Sequence, residues 1–478
     1  MSINFATLQG LTIPEGVVTQ ITDASGRVLW KLANDKPIIL EVEKITSSTY
    51  AAETEYTDEQ FILLDIYPKT NGTVSVTYGG LTKTITDTSG VENPNAQQVF
   101  FGTFNGVSDS VETPASGTLT IEGDHNGFAT GQYIQKGKAM NSTLYCGCIT
   151  AVSDWGGINT IYNGAFRSCT KLAPVSLPDR ITSIGNNAFS GCTSLALTSL
   201  PSGLTSIGDY AFYSCTSLAF TSLPSGLTSI GSSAFGICTK LALTSLPSGL
   251  TSIGDYAFNG CTSLAFTSLP SGLTSIGSGA FSGCTSLALT SLPSGLTSIV
   301  SSAFSGCTNL ALTSLPNSIT SIGDSAFNGC TSLALTSLPS GLESIGNSAF
   351  YNCTGVSIAE IPANVTTIGD QAFMCISSIV IYDSLILPNG LLTLGQVCFI
   401  TYDVNSTSVP TNLSRVKNIT VLATTPPAMT LAENSTSGAF GESGKHGITK
   451  IVVPKGCGNA YKTTSGWSLY ADYIVEAS

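Results

Sequence analysis

Cysteine is the side chain with the most chemical potential in this sequence, and its spacing decides what it could do. Cys169, Cys192, Cys215, Cys238, Cys261, Cys284, Cys307, Cys330 and Cys353 follow one another at a constant interval of 23, and Cys375 falls one place short of the next step. Thiols can pair, bind metal or attack carbon. A disulfide needs two Cβ atoms close together and turned toward each other, whereas one Cys per repeat gives parallel side chains a whole coil apart. Zinc needs four convergent ligands, and Cys146-Gly-Cys148 has no second pair and no nearby His to complete a tetrahedron. The reading that remains is a ladder of buried free thiols at an inward apolar position, with bridges left open at Cys146, Cys148, Cys398 and Cys457. Base catalysis is equally short of material. His125 and His446 are the two histidines, both in Gly-rich surroundings that read as loops, so a Ser-His-Asp or Cys-His arrangement would have to recruit one of them. Asp124-His125-Asn126-Gly127 lacks the further carboxylates of a calcium loop. Asp209, Asp255 and Asp324 occupy equivalent turns whole coils apart and read as solvated turn residues, not as the facing pair of a glycosidase. The expectation is no enzyme, no cofactor and no metal.

The elements that carry these residues follow the same ruler. Ala-Phe ends at Phe166, Phe189, Phe212, Phe235, Phe258, Phe281, Phe304, Phe327, Phe350 and Phe373, again at intervals of 23. In one unit the apolar positions are Leu195, Leu197, Leu200, Leu204, Ile207, Ala211, Phe212 and Cys215. SLALTSLP alternates apolar and polar residues as a half-buried strand does, and Pro201 and Gly203 then turn the chain. LTSIG is a second extended piece leading to a tight turn. One such unit cannot bury its apolar face alone, so stability must come from stacking on neighbours. Phe189 to Phe350 and Cys192 to Cys353 are therefore the expected core. Val300 replaces the repeat Gly, Tyr162 replaces it in the first unit, and both are expected to loosen one turn. Asp209-Tyr210 and Asp255-Tyr256 recur in alternate units, together with Phe220 and Phe266, which marks a longer period of two units.

A period of 23 lies within the range of leucine-rich repeats. LPSGLTSIGDYAFNGCTSL, with its Pro, Ile-Gly, Ala-Phe and Cys, resembles the BspA-type leucine-rich repeat over residues 158–378. The likeness continues loosely through Phe399 to a closing unit with Val453-Pro454, Ala460-Tyr461, Trp467 and Tyr470. It implies a surface-exposed protein that adheres to host proteins or cells, and it implies no chemistry. The expected architecture is a β-rich solenoid with little helix, preceded by an Ig-like β-sandwich. Its boundaries are an attachment hairpin at 1–32, the Ig-like domain at 33–140, and a linker or N-terminal cap at 141–157. Ten repeats follow at 158–378, then degenerate repeats and a cap at 379–478.

Residues 1–32 resemble short N-terminal modules of phage and prophage tail-associated proteins. That likeness makes a tail fibre the first functional expectation, with a virion location and other tail proteins as partners. The N-terminus has no basic and apolar leader, which fits release by lysis. A fibre of this kind is expected as a homotrimer, although no heptads enforce one. The alternative is an extracellular or cell-surface adhesin, and either way the partner is a host surface protein or glycan. The chain carries a net charge of −12 and only 10% charged residues, with no basic run. Nucleic acid is therefore excluded as a partner, and no apolar stretch is long enough for membrane insertion. Candidate contacts are Tyr210, Tyr213, Tyr256, Asn259, Asn328 and Tyr351, because Tyr and Asn combine rigid aromatic area with adaptable hydrogen bonding.

Overall fold

The computed structural model describes residues 158–478 except 173–175, 376–381, 403–411, 415, 432–436 and 443–447, and before residue 158 a set of strands only. The chain divides into two units, Met1–Asn159 and Thr160–Ser478.

In the first unit, Gln20–Thr22 pairs antiparallel with Val28–Lys31, giving the two sides of the expected hairpin. Two antiparallel sheets follow. One runs in the order His125–Thr130, Phe61–Pro68, Gln97–Phe104 and Val107–Ser108; the other runs Ile149–Trp155, Ile38–Val42, Gly117–Gly123, Thr73–Tyr78 and Leu81–Thr86. His125 thus opens a strand and is not a loop residue. Ile149–Trp155, within the stretch expected to be a linker or cap, is instead an edge strand paired with Ile38–Val42. The turns and most side chains of this unit lie outside the described residues, and with them the packing that an Ig-like sandwich requires.

The second unit is a stack of coils. Each coil donates one two-residue strand, Ser206–Ile207 in the coil of Phe212, and these strands pair in parallel with their equivalents in adjacent coils. The alternating segment SLALTSLP, expected to be a strand, is not one in the repeats. Its leucines are buried, but backbone bonds between coils occur there only at scattered points, such as Thr244 N–H to Thr221 O at 3.0 Å. Leu and Ala favour a strand less than β-branched residues do, and the following Pro has no N–H to offer. Where the sequence becomes β-branched the ladder forms. Tyr382–Leu387, Val416–Val421, Lys450–Val453 and Ile474–Glu476 make a four-stranded parallel sheet on that side.

Inside the stack, Leu195, Leu204, Ala211, Phe212 and Cys215 are fully buried, and Leu197, Ile207 and Leu200 nearly so. The Phe rings form an unbroken column from Phe166 to Phe440, with centroids 5.1 to 5.9 Å apart and planes within 15° of parallel. Trp467 and Tyr470 then meet Phe440 at tilted and edge-on angles and end the column. Trp467, Tyr461 and Tyr470 are fully buried. Their polar atoms are satisfied: Trp467 Nε1–H donates to Pro427 O at 2.8 Å, Tyr461 O–H donates to Ala423 O at 2.6 Å, and Phe440 N–H donates to Tyr470 Oη at 3.2 Å.

The Gly after Ile is the closest approach between coils. A Cβ on Gly277 would sit 2.4 Å from Asp255 N and 2.5 Å from Gly254 C, where no side chain fits. Val300 is the exception, and the parallel sheet stops there. The strand set ends at Ser275–Ile276 and restarts at Ser298–Ile299, and the bonds that Val300 and Thr297 N–H should make to Ile276 O and Thr274 O do not form. A milder break separates Ser206–Ile207 from Ser229–Ile230, where Gly231 N–H still reaches Ile207 O at 3.2 Å. At the Val300 joint the opposite edge stays closed, with Phe281 N–H on Ala303 O at 2.9 Å and rings 5.6 Å apart. Tyr162 causes no such gap, since Thr160–Ile161 is the edge strand of its sheet and Gly185 N–H reaches Ile161 O at 2.8 Å.

Candidate functional site

The thiols are built into the scaffold. Each ladder Cys is buried and in no disulfide, and from Cys192 to Cys353 its S–H donates to the carbonyl of the Phe in the coil before: Cys215 to Phe189 O at 3.0 Å, Cys261 to Phe235 O at 3.0 Å, Cys307 to Phe281 O at 3.0 Å. Burial strips water from any thiolate and pushes Cys261 and Cys307 up to about 12; Cys238, Cys284 and Cys330 are also raised well above the ordinary thiol value, first by burial and then by neighbouring Cys. A nucleophile must be a thiolate, so these positions are inert at neutral pH. Cys398 is buried and free as well, and Cys457 is free and half-buried. Cys146, Cys148 and His446 lie outside the described residues. Among the described residues no three His, Cys, Asp or Glu side chains cluster for a metal, and no helix is long and apolar enough to cross a membrane.

The acids at the turns have a task that their spacing did not disclose. They are not merely solvated. Asp209 Oδ1 accepts the N–H of Ser232, Asp255 Oδ1 that of Ser278, and Asp324 Oδ1 that of Asn347, each at 2.7 Å. Asn186 and Asn347 make the same clamp through their amide oxygen. Thr hydroxyls do likewise on the strand edge, Thr205 to Thr182 O at 3.1 Å and Thr251 to Thr228 O at 3.2 Å. Much of the outer polar surface therefore stitches coil to coil.

The six candidate contacts fall into two rows. Tyr210 and Tyr256 stand two residues before the core Phe, both with positive φ, at 56° and 55°, and they are exposed, 43% and 50%. Tyr213, Asn259, Asn328 and Tyr351 stand one residue after it and are half-buried. Asn259 spends a donor on Ser282 O at 3.1 Å, and the Tyr213 ring lies against Gly236 of the next coil. Tyr210 and Tyr213 are brought together edge to face, 5.7 Å between ring centres. Tyr256 lies against Gly279 of the next coil, where a Cβ would come within 2.4 Å of its ring. Sequence reasoning did not find the open depression of about 360 Å³ on the strand edge, lined by Ser301, Ser321, Asp324, Ser344, Asn347 and Thr367 among others. Its walls come from several coils, and nothing in a single unit marks it.

The family match agrees with this geometry. The family model described as BspA type leucine rich repeat region matches residues 141–265, 238–328 and 297–421. No family model matches residues 1–32, where the tail-module likeness was placed. Several solved structures are similar, among them the following. A leucine-rich repeat protein from Bacteroides ovatus is 20% identical over 73% of this chain and 98% of its own, with a TM-score of 0.40. A leucine rich cell surface protein from Faecalibacterium prausnitzii is 24% identical over 56% and 91%, with a TM-score of 0.35. The T. pallidum leucine rich repeat protein is 31% identical over 43% and 87%, with a TM-score of 0.27. No curated protein matches the chain. The family model spans more than half of the sequence, and the Ile-Gly, Ala-Phe and Cys positions on which the coil depends lie within it; the chain belongs to the BspA-type leucine-rich repeat family.

Proposed function

We propose that this protein is a bacterial cell-surface or secreted recognition protein that adheres to host surface proteins or glycans through the outer edge of its coils. The observation that carries this reading is the division between a chemically spent interior and a varied exposed edge. Thiols, aromatic rings and turn carboxylates are committed to holding coils together. Exposed differences between coils remain, namely Tyr210 and Tyr256 where other coils have Ser, Gly, Asn or Gln, and the hydroxyl-lined depression beside Asp324. The family supports a binding role with no catalytic step. The tail-fibre expectation rested on the likeness of residues 1–32, and the family match does not extend to that segment.

Immunogold labelling of unpermeabilised source cells, beside particles released by lysis, tests the location. Label on the cell envelope or in the medium is the expected result. Label confined to phage tails would overturn the proposal and restore the fibre reading.

A further inference from the structure

We propose that Tyr210 and Tyr256 form a stacking platform for a neutral, extended glycan chain lying along the coil edge; this deepens the recognition role proposed above and rests on it. Three observations point the same way. The first is the exposure of the rings. Tyr256 has its ring on Gly279 of the next coil, a residue with no side chain to push it away, and is 50% exposed. At the position equivalent to Gly279, two coils earlier, Ser233 is buried to 5% in the coil beside Tyr210. Half-exposed aromatic rings offer a sugar a π face over which its C–H groups can stack.

The second observation is spacing. Centroid distances of 5.4 and 5.5 Å separate Phe212 from Phe235 and Phe235 from Phe258, so equivalent atoms of the Tyr210 and Tyr256 coils repeat about 11 Å apart along the stack. That is close to the length of a disaccharide unit in an extended chain. Every second sugar would meet a ring.

The third is the chemistry around the rings. The neighbouring turns and strand edges carry Ser, Thr and Gly with Asp209 and Asp255 beside the rings, and Lys240 is the one Lys or Arg between residues 181 and 414. Such an edge offers a hydroxyl-rich polymer hydrogen-bonding partners and offers an anionic one nothing.

The test uses the full chain and the linear β-1,4-linked hexasaccharide of N-acetylglucosamine, with its disaccharide as the short control, by isothermal titration calorimetry. Tyr210→Ser and Tyr256→Ser are safe variants, because Ser302 and Ser325 already hold the same backbone at φ 57° and 54°. The hexasaccharide should bind more tightly than the disaccharide. Each Ser variant should weaken the hexasaccharide roughly tenfold, the scale of one lost stacking contact, and Tyr256→Phe should retain binding. If the hexasaccharide does not bind while the chain still attaches to host cells with both tyrosines replaced, the platform is refuted and the recognition role survives. If attachment falls in both variants but is unmoved by hexasaccharide competition and by glycosidase treatment of the cells, the rings contact protein and the glycan assignment is overturned.

Discussion

Val300→Gly should close the gap in the parallel sheet and make the protein more stable. In the wild type two amides at this joint, those of Val300 and Thr297, make no bond to Ile276 O and Thr274 O, although their equivalents in the neighbouring coil, Gly323 and Thr320, bond at 2.7 and 2.9 Å. Restoring two backbone bonds is worth about 2 kcal/mol net. Removing a Cβ where the other coils leave no room relieves roughly 1 kcal/mol or more of overpacking. Against this, Gly costs about 0.5–1 kcal/mol of chain entropy, and losing a half-buried Val side chain costs about 1 kcal/mol. The balance is a gain of about 1–2 kcal/mol. Hydrogen exchange read at single residues is the direct assay. The amides of residues 297 and 300 should pass from near-free exchange to the protection shown by Thr274 and Gly277, while the Phe281 amide, already bonded to Ala303 O, changes little. Gly277→Val is the mirror experiment and should open a second gap. The reasoning fails if the Val300 amide in the wild type is already as protected as that of Gly277, or if Val300→Gly leaves it unprotected.

The thiol ladder makes a pH prediction. Its folded values are raised by burial, to about 12 at Cys261 and Cys307, while the unfolded thiol titrates near 8.5; the stability they contribute is present below that pH and is lost as pH climbs toward 12. The slope approaches roughly 1.4 kcal/mol per pH unit for each thiol, so alkaline unfolding should be steep. Residue-resolved alkylation at pH 9 should modify Cys457 before any ladder Cys, and early modification of Cys261 in folded protein would contradict this. Asp255→Asn should be nearly neutral, since Asn186 and Asn347 make the same clamp with an amide oxygen; Asp255→Ala should cost about 1 kcal/mol, measured by urea unfolding. Trp467→Ala removes the ring that closes the column and should cost about 3–5 kcal/mol. Its effect should stay local: exchange rises at Lys450–Val453 and Ile474–Glu476, but not at the coil of Phe189, because coils stabilise only their neighbours.

The repeat was legible because one residue type per coil reports one geometric demand. Phe212 and Cys215 mark the interior, Gly208 a close approach, Pro201 a turn, and the period repeats them until chance is excluded. The strand assignment was only half right. Alternation shows which side chains are buried, and SLALTSLP does bury its leucines, but alternation does not say whether backbones approach closely enough to pair. The β-branched residues of VKNITV and KIVV do pair, and this distinction was readable from composition. The end of the column was also readable. Ala439-Phe440 repeats the core dipeptide outside the ruler, and its ring stacks on Phe399 at 5.9 Å, but the long insertion before it broke the rhythm. The clamp made by Asp209, Asp255 and Asp324 could not be read at all, because its acceptor and donor lie a full coil apart in sequence and nothing local distinguishes it from a solvated turn.

Near-identical coils pose a problem for the recognition role proposed above. A surface repeated at every coil offers a partner the same contacts at every step, so a bound polymer could slide by one coil without penalty. The stacked Phe and Cys columns keep a period of one coil, whereas the buried Phe220 and Phe266, edge-on to Phe235 and Phe281, repeat every two. The exposed Tyr positions follow the same longer period. By placing Tyr only at 210 and 256, with Ser233 and Gly279 in the coils that follow, the chain gives this edge a period of two coils, in step with the buried Phe220 and Phe266, while the Phe and Cys columns keep a period of one. A ligand engaging both rings must move two coils, not one, before it finds an equivalent site, and beyond Tyr256 the equivalent site does not recur, since Ser302 and Ser348 stand there. If the proposed platform binds, its register is set by the few residues that depart from the repeat, and binding measurements should follow those departures while stability measurements follow the repeat itself.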